Sequence, residues 1–174
     1  MPQSSDQSSE QPSPKQPCVL AGVHPGQPAG VVLEAARLAA ALNLPLICAY
    51  SNPARFPVEE KADGTVISES VDPDFMDASE AAFPAELAAE LELRLGSSPV
   101  HWRTALLAGD PARALARCAQ ITGASMIVVG THGDARTPLR DILRLSVAAH
   151  LTRLASCPVL VVPTFGGTVA KDRL

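Results

Sequence analysis

A glycine-rich loop followed by a serine is the part of this sequence best suited to chemistry. The loop reads Gly130-Thr131-His132-Gly133, and Ser146-Val147 opens the next predicted helix. Glycines let backbone N–H groups approach an anion, and a helix N-terminus adds unpaired donors and the positive end of a dipole. The Ser146 hydroxyl is a further donor. By spacing alone an ordinary turn is favoured, because a glycine pair in a turn is more often simply a turn, and a phosphate site is the alternative. The chain has neither a Walker A sequence nor G-x-G-x-x-G, which excludes the two commonest phosphate loops.

Charged and titratable side chains could assist this loop. Arg136, Arg140 and Arg144 follow its glycines, and guanidinium groups form charge-assisted hydrogen bonds to phosphate. The alternative for these arginines is a solvated helix face. His24 follows the first predicted strand, and when protonated it can attract a negatively charged ligand. These residues are therefore candidates for ligand binding.

Composition disfavours several classes of partner. Of the 174 residues, 47% are hydrophobic and 18% are charged, which predicts one folded domain. The formal charge is −4 without a Lys/Arg cluster, and aromatic residues make up 3%, so nucleic-acid and carbohydrate binding are not expected. The chain has neither an apolar run of 18 residues nor a secretion signal, so we expect a cytoplasmic protein without a membrane span.

The four cysteines do not form a recognisable reactive or metal-binding pattern. Cys18, Cys48, Cys118 and Cys157 are far apart in the sequence and include no C-x-x-C pair. Three of them lie within or beside apolar runs, where a cysteine is usually a small buried hydrophobe. We therefore expect no metal site and no disulfide framework, and redox sensing is the less favoured alternative.

Short apolar runs alternate with segments of helical periodicity along the chain. Residues 1–17 are rich in Ser, Pro and Gln and predict a disordered tail, and residues 164–174 predict a frayed one. Between them, apolar runs predict buried strands and the spacing of apolar residues predicts helices. The predicted strands are 18–23, 46–50, 100–106, 125–129 and 158–162, and the predicted helices are 30–42, 84–95, 111–122 and a last one from Ser146. The alternation predicts an α/β fold, a five-stranded parallel sheet with helices on both faces.

The segment 51–80 interrupts this alternation. It carries eight acidic and two basic residues and shows no regular periodicity. Asp63-Gly64 followed by Thr65-Val66-Ile67 is typical of a hairpin and favours an ordered arm. A lid, a partner-binding arm, an arm that crosses to a second subunit and a disordered loop all remain open.

Several of these motifs together resemble one known family. The stretch Ile127 to Gly133, then Ser146-Val147-Ala148, then Cys157 to Val162 is similar to the C-terminal half of the universal stress proteins, and Gly109-Asp110-Pro111 extends the likeness upstream. The resemblance covers residues 18–163 except for the acidic insert. It implies the strand order 3-2-1-4-5, with His24 and the Gly130 to Gly133 loop on two sides of one crevice.

The resemblance also implies a nucleotide site with two departures. The nucleotide-binding branch carries G-x2-G-x9-G-[S/T], whereas this chain reads G-x2-G-x11-L-S, with Leu145 in place of a glycine. A second departure is His24 where the family has an aspartate. If the glycine position requires a positive φ, Leu145 costs about 1–3 kcal/mol. The implied nucleotide-binding residues are Gly130, His132, Gly133, Ser146, Val147, His24, Ala49 and Arg144.

The resemblance leads to two functional hypotheses. The first is a cytoplasmic stress-response regulator that binds ATP or AMP and hydrolyses ATP slowly at most, since no general base or metal-binding carboxylate is evident near the loop. The only metal expected is Mg²⁺ bound to a nucleotide. The second is a nucleotide-free dimeric adaptor that contacts a protein partner through its insert and tail. In either case the family implies a homodimer paired through the last strand, at Val159, Leu160, Val161 and Val162.

Overall fold

The five-stranded parallel sheet predicted from the sequence is present in a computed structural model that describes residues 16–72, 82–131 and 147–164. Its elements are β1 (Val19–Gly22), α1 (Gly30–Leu42), β2 (Leu46–Asn52), β3 (Arg55–Glu60), β4 (Val66–Ser70), α2 (Ala85–Leu95), β5 (Trp102–Ala108), α3 (Pro111–Thr122), β6 (Met126–Gly130), α4 (Val147–Leu154) and β7 (Val159–Val162). The sheet order is β5-β2-β1-β6-β7. Counted along the chain, these five strands have the predicted order 3-2-1-4-5.

The apolar strands supply two cores, one on each face of the sheet. Successive residues of a strand point to opposite faces, so a strand covered on both sides must be apolar throughout. The core under α3 and α4 contains Leu20, Ile47, Leu107, Leu115, Ile127 and Leu151. The core under α1 and α2 contains Val19, Ala21, Val31, Leu46, Leu87 and Val128.

The helix ends follow the predicted boundary signals. The Asp110 carboxylate accepts a hydrogen bond from the Arg113 N–H at 3.0 Å, and Pro111 occupies the first turn of α3. Gly123 ends this helix in the left-handed region with φ of 72°. These local signals fix α3, because an acidic N-cap, an early proline and a left-handed glycine each favour one end of a helix.

The edge strand β5 differs from its prediction in one respect. The sequence alternates over residues 100–106, which predicts an edge strand with a wetter face that carries His101, Arg103 and Ala105. The strand does lie at the edge of the sheet, but this face is solvent-exposed only near its start. Arg103 is exposed, whereas Ala105 and Leu107 on the same face are each only 1% exposed because they pack in the core beneath α3. Alternation in the sequence could not show that a helix covers this end of the strand.

The acidic insert is largely ordered. Residues 51 and 52 complete β2, and β3 and β4 form an antiparallel hairpin with the predicted turn at Asp63-Gly64. The hairpin packs on its own domain, where Arg117 forms an ion pair with Glu60 at 2.7 Å. The hairpin indicated by Asp63-Gly64 is therefore confirmed, and the disordered-loop alternative is wrong for residues 55–70. Residues 73–81 lie outside the described residues.

The hairpin turn is seated against α3, and this contact is testable. Gly64 has φ of +85°, and a Cβ there would lie 2.7 Å from Thr122 Cγ2 and 2.8 Å from Cys118 Sγ. Gly64→Ala should lose about 1 kcal/mol for the backbone conformation and about 1–3 kcal/mol more for overpacking. Gly26→Ala is the matched control, since Gly26 has φ of +74° and a methyl group added there would have nothing within 4 Å. Equal losses of unfolding free energy in urea would contradict the seating of the hairpin.

Candidate functional site

The candidate site is a crevice at the carboxyl ends of β1 and β6. These strands pair in parallel, with Leu20 opposite Ile127 and Ala21 opposite Val128. The chain leaves β1 for β2 on one side, while β6 lies on the other, so the order of the sheet reverses between them. A reversal of this kind opens a ligand crevice beyond the strand ends. His24 follows β1 and Gly130 ends β6, so the structure brings these two predicted residues to one edge.

Gly130 lies in a cradle that admits no side chain. A Cβ at this position would lie 2.7 Å from Thr164 Cγ2, 2.9 Å from Val31 Cγ2 and 3.3 Å from Gln27 Nε2. The three neighbours come from the start of α1, the turn before it and the residues after β7. Glycine is therefore required for β6 to approach them, which gives the predicted loop a packing role at its first residue.

Gln27 is a residue of this crevice that sequence analysis missed. It is only 7% exposed, and its Nε2 donates to the Gly22 carbonyl at 3.3 Å. Its backbone N–H donates to the His24 carbonyl at 3.2 Å. An amide side chain in a turn rich in proline and glycine looks solvated in the sequence. The only available signal was its position in the loop between the first strand and the first helix.

A second missed group is the cation of Arg94 on α2. Its Nη1 donates to the Gln27 carbonyl at 3.4 Å, and its Nη2 lies 3.5 Å from a Glu90 carboxylate oxygen. The side chain is 26% exposed. The α2 helix thus places a guanidinium against the loop between β1 and α1. The sequence could not indicate this, because the pairing spans the insert and the whole of α2.

His24 and Thr131 follow the ends of β1 and β6, the two strands that border the candidate site. His24 is half-buried, and its Nδ1 lies 2.9 Å from the Pro25 carbonyl oxygen. When Nδ1 carries a hydrogen, it donates to this oxygen. Thr131 is 8% exposed, and its Oγ1 accepts a hydrogen bond from the Thr164 N–H at 2.9 Å. The frayed tail therefore does not begin at Thr164, which is tied to β6 and its loop. Residues 165–174 lie outside the described residues.

The remaining predicted site residues are placed differently. Ala49 pairs with Gly22, and its carbonyl accepts a hydrogen bond from the Val23 N–H at 2.9 Å. Its side chain is 1% exposed and lies in the core under α3. Val147 begins α4 and packs partly buried against that core. The other members of the predicted site lie outside the described residues: His132, Gly133, Arg144 and Ser146.

Comparison with known proteins identifies the family. The sequence model of the universal stress protein family matches residues 19–163. The chain belongs to the universal stress protein family. No curated protein matches it.

Several solved structures share the fold of this universal stress protein. A universal stress protein family member from Burkholderia pseudomallei is 25% identical, with a TM-score of 0.58, over 87% of this chain and 99% of its own. A universal stress protein in complex with cAMP is 22% identical, with a TM-score of 0.57, over 86% and 98%. A third, from Archaeoglobus fulgidus in complex with dAMP, is 18% identical, with a TM-score of 0.53, over 84% and 98%.

The cysteines of this universal stress protein are packing residues, as expected. Burial raises the pKa of the Cys48 and Cys118 thiols to about 12, which keeps them neutral near pH 7. The buried Cys18 has a pKa raised by the same cause, and its thiol contacts Thr122 Oγ1 at 3.7 Å. Within the described ranges, no three His, Cys, Asp or Glu side chains are grouped to hold a metal ion.

A separate cavity lies at the opposite end of the sheet. It has a volume of about 740 Å³ and is lined by the amino ends of β2 and β5, the end of α3 and the hairpin turn, with Leu46, Trp102, Arg103, Gln120 and Asp63 among its walls. It is remote from the strand ends that carry His24 and Gly130. Among the described residues that were predicted to bind a nucleotide, His24, Ala49, Gly130 and Val147 are not part of its lining. In the part of the chain that the structure describes, no helix is long and apolar enough to cross a bilayer.

The cradle around Gly130 makes a measurable prediction. Gly130→Ala should lower the free energy of unfolding by about 1–3 kcal/mol, since a methyl group would overpack Val31 and Thr164. Gly30→Ala is the control, because a Cβ at the start of α1 has nothing within 4 Å. Urea unfolding followed by circular dichroism measures both. A Gly130 variant as stable as the Gly30 variant would show that the cradle is open.

Proposed function

We propose that this universal stress protein is a cytoplasmic regulator of the stress response and binds an adenine nucleotide in the crevice between β1 and β6. The observation that carries the proposal is at Gly130. Because this residue has no side chain, the end of β6 passes close to Val31 and Gln27 at the point where the sheet order reverses. The solved structures with cAMP and dAMP support an adenine nucleotide as the ligand class.

The residues around the crevice have separable roles in this proposal. His24 and Gln27 face the nucleoside, with a ring nitrogen and an amide as hydrogen-bonding groups. Arg94, held against the Gln27 carbonyl, contributes positive charge on the same side. The phosphate is assigned to the sequence motif that follows Gly130, namely the backbone of His132, Gly133 and Val147 with the Ser146 hydroxyl and Arg144. Ala49 borders the site through its backbone, which pairs with Gly22 at the end of β1, and not through its side chain.

The nucleotide acts as a regulatory ligand in this account, with slow hydrolysis at most. The loop sequence 130–146 contains no lysine of the Walker A kind, the usual cation on a transferred phosphate. Any Mg²⁺ would arrive with the nucleotide. Leu145 replaces the glycine next to the phosphate-binding serine, so ATP should gain more than AMP when that side chain is removed.

Calorimetric titration with AMP, ATP and cAMP tests the proposal. We expect micromolar binding of at least one of them by the wild type, and Leu145→Gly should tighten ATP binding on the order of tenfold to a hundredfold, corresponding to about 1–3 kcal/mol of relieved strain. His101→Ala, on an exposed residue just before β5, should bind as the wild type does.

The same titration distinguishes nucleotide binding from the second candidate function, a nucleotide-free adaptor. No binding by either the wild type or Leu145→Gly would contradict a nucleotide site here. Binding only by Leu145→Gly would show that one side chain has closed the site and would favour the adaptor. The exposed apolar residues of the hairpin are the observation that keeps this candidate open.

We further propose that two copies of the chain pair through β7. This strand ends the five-stranded sheet, hydrogen-bonds to β6, and leaves its other edge without a neighbour among the described residues. Its residues are all apolar, and Leu160 is 38% exposed. An apolar sheet edge is a template for a further strand. Pairing with a second β7 would cover it.

Sedimentation velocity tests the dimer. Leu160→Lys should shift the protein from dimer to monomer, because a charged side chain would be buried at the pairing edge. Leu93→Lys is the control, since Leu93 is 88% exposed on α2, a helix that packs against α1. A wild-type monomer, or a Leu160→Lys dimer, would contradict the proposal.

A further inference from the structure

The outward face of the β3–β4 hairpin is apolar. In this antiparallel pair Phe56 lies opposite Glu69, and Ile67 lies opposite Glu59. Alternation along β4 puts Ile67, Glu69 and Val71 on one face. Four large apolar side chains of the hairpin segment are exposed: Phe56 by 44%, Val58 by 56%, Ile67 by 45% and Val71 by 64%.

The opposite face holds the hairpin on the domain. Arg55 is 9% exposed on this face and its Nε donates to Ser68 Oγ at 2.9 Å, which ties the two strands together. Arg103 of β5 donates to the Asp63 carbonyl and ties the turn to the sheet. Glu60 pairs with Arg117 of α3, and the Gly64 turn sits against Cys118 and Thr122. The hairpin is therefore anchored by its inner face. A sheet with one packed face normally presents polar residues on the other, which makes the apolar outward face an unexpected feature.

The charges on the outward face are negative. Glu59 and Glu69 are exposed there, between the apolar side chains. The inner carboxylates are already engaged, since Glu60 pairs with Arg117 and Asp63 accepts hydrogen bonds from Thr65. Beyond the strands, Lys61 lies at the turn and Asp72 follows Val71, both exposed. A face of this kind attracts cations and disfavours an anionic lipid surface.

The dimensions of this face fit one segment of a partner rather than a second copy of the chain. Two strands of about six residues cover roughly 10 by 20 Å, or about 200 Å², at normal strand spacing and rise. A stable interface buries about 800 Å² on each partner. Two-fold self-pairing would also bring the glutamates of both copies together. A helix of about 13 residues is about 20 Å long and matches the length of the face.

We propose that this outward hairpin face binds a basic amphipathic helix of a partner protein. The apolar side of the helix packs on Phe56, Ile67 and Val71. Its flanking lysines or arginines pair with Glu59 and Glu69. The proposal is independent of the nucleotide crevice, since the hairpin is anchored on the α3 side of the sheet by contacts that do not include His24, Gln27 or Gly130.

Fluorescence anisotropy with a labelled 18-residue Leu/Lys amphipathic helical peptide tests the proposal on the full chain. We expect saturable binding by the wild type, and Phe56→Ser/Ile67→Ser should raise the Kd at least tenfold. Glu59→Gln/Glu69→Gln should raise the Kd severalfold at low salt and flatten its salt dependence. Leu93→Ser, at an 88% exposed leucine of α2, is the matched control and should leave the Kd unchanged. Circular dichroism confirms that each variant retains the wild-type fold.

Four results would overturn the proposal. The first is equal binding of a Leu/Glu peptide of the same length, and the second is no saturation by the Leu/Lys peptide below millimolar concentration. The third is an unchanged Kd in Phe56→Ser/Ile67→Ser. The fourth is a dimer that survives Leu160→Lys but dissociates in Phe56→Ser/Ile67→Ser, which would assign the face to a second copy.

Discussion

The pairing of β1 with both β2 and β6 is the constraint on which the rest of this structure depends. Val19, Leu20 and Ala21 have no exposed surface, because neighbours on two sides and helices on two faces enclose the strand. A strand that is buried on both faces and paired on both edges belongs in the middle of a parallel sheet. Its central position forces the chain to go one way to β2 and to return on the other side at β6. The crevice is a direct consequence of that reversal.

The same constraint explains why a small set of residues defines the candidate site. The end of β6 must pass close to the turn between β1 and α1, and Gly130 permits this without a side chain. Gln27 fills the space beside it and is tied back to Gly22. The Gln27 amide, the His24 imidazole and the Arg94 guanidinium beside Glu90 therefore lie on this loop or against it. These groups suit a polar ligand better than an apolar one.

Local signals predicted most of the fold, whereas contacts between distant segments were not visible in the sequence. The bounds of α1 and the caps of α3 follow from neighbouring residues, and the apolar runs of β1 and β6 from burial on both faces. Gln27 and Arg94 were missed because their importance depends on where α2 returns to the sheet. The hairpin strands were not predicted from periodicity because Phe56 and Ile67 face solvent. The sequence therefore lacks the usual alternation of apolar inward and polar outward residues.

A map of backbone amide chemical shifts during titration with AMP tests the central claim most directly. The account predicts that the largest changes fall at the crevice, at His24, Gln27 and Gly130, and that Trp102, Arg103 and Gln120 at the other end of the sheet stay unchanged. Changes concentrated around Trp102 and Arg103, with His24, Gln27 and Gly130 unaffected, would contradict it. In that case the nucleotide would occupy the cavity at the amino ends of the strands.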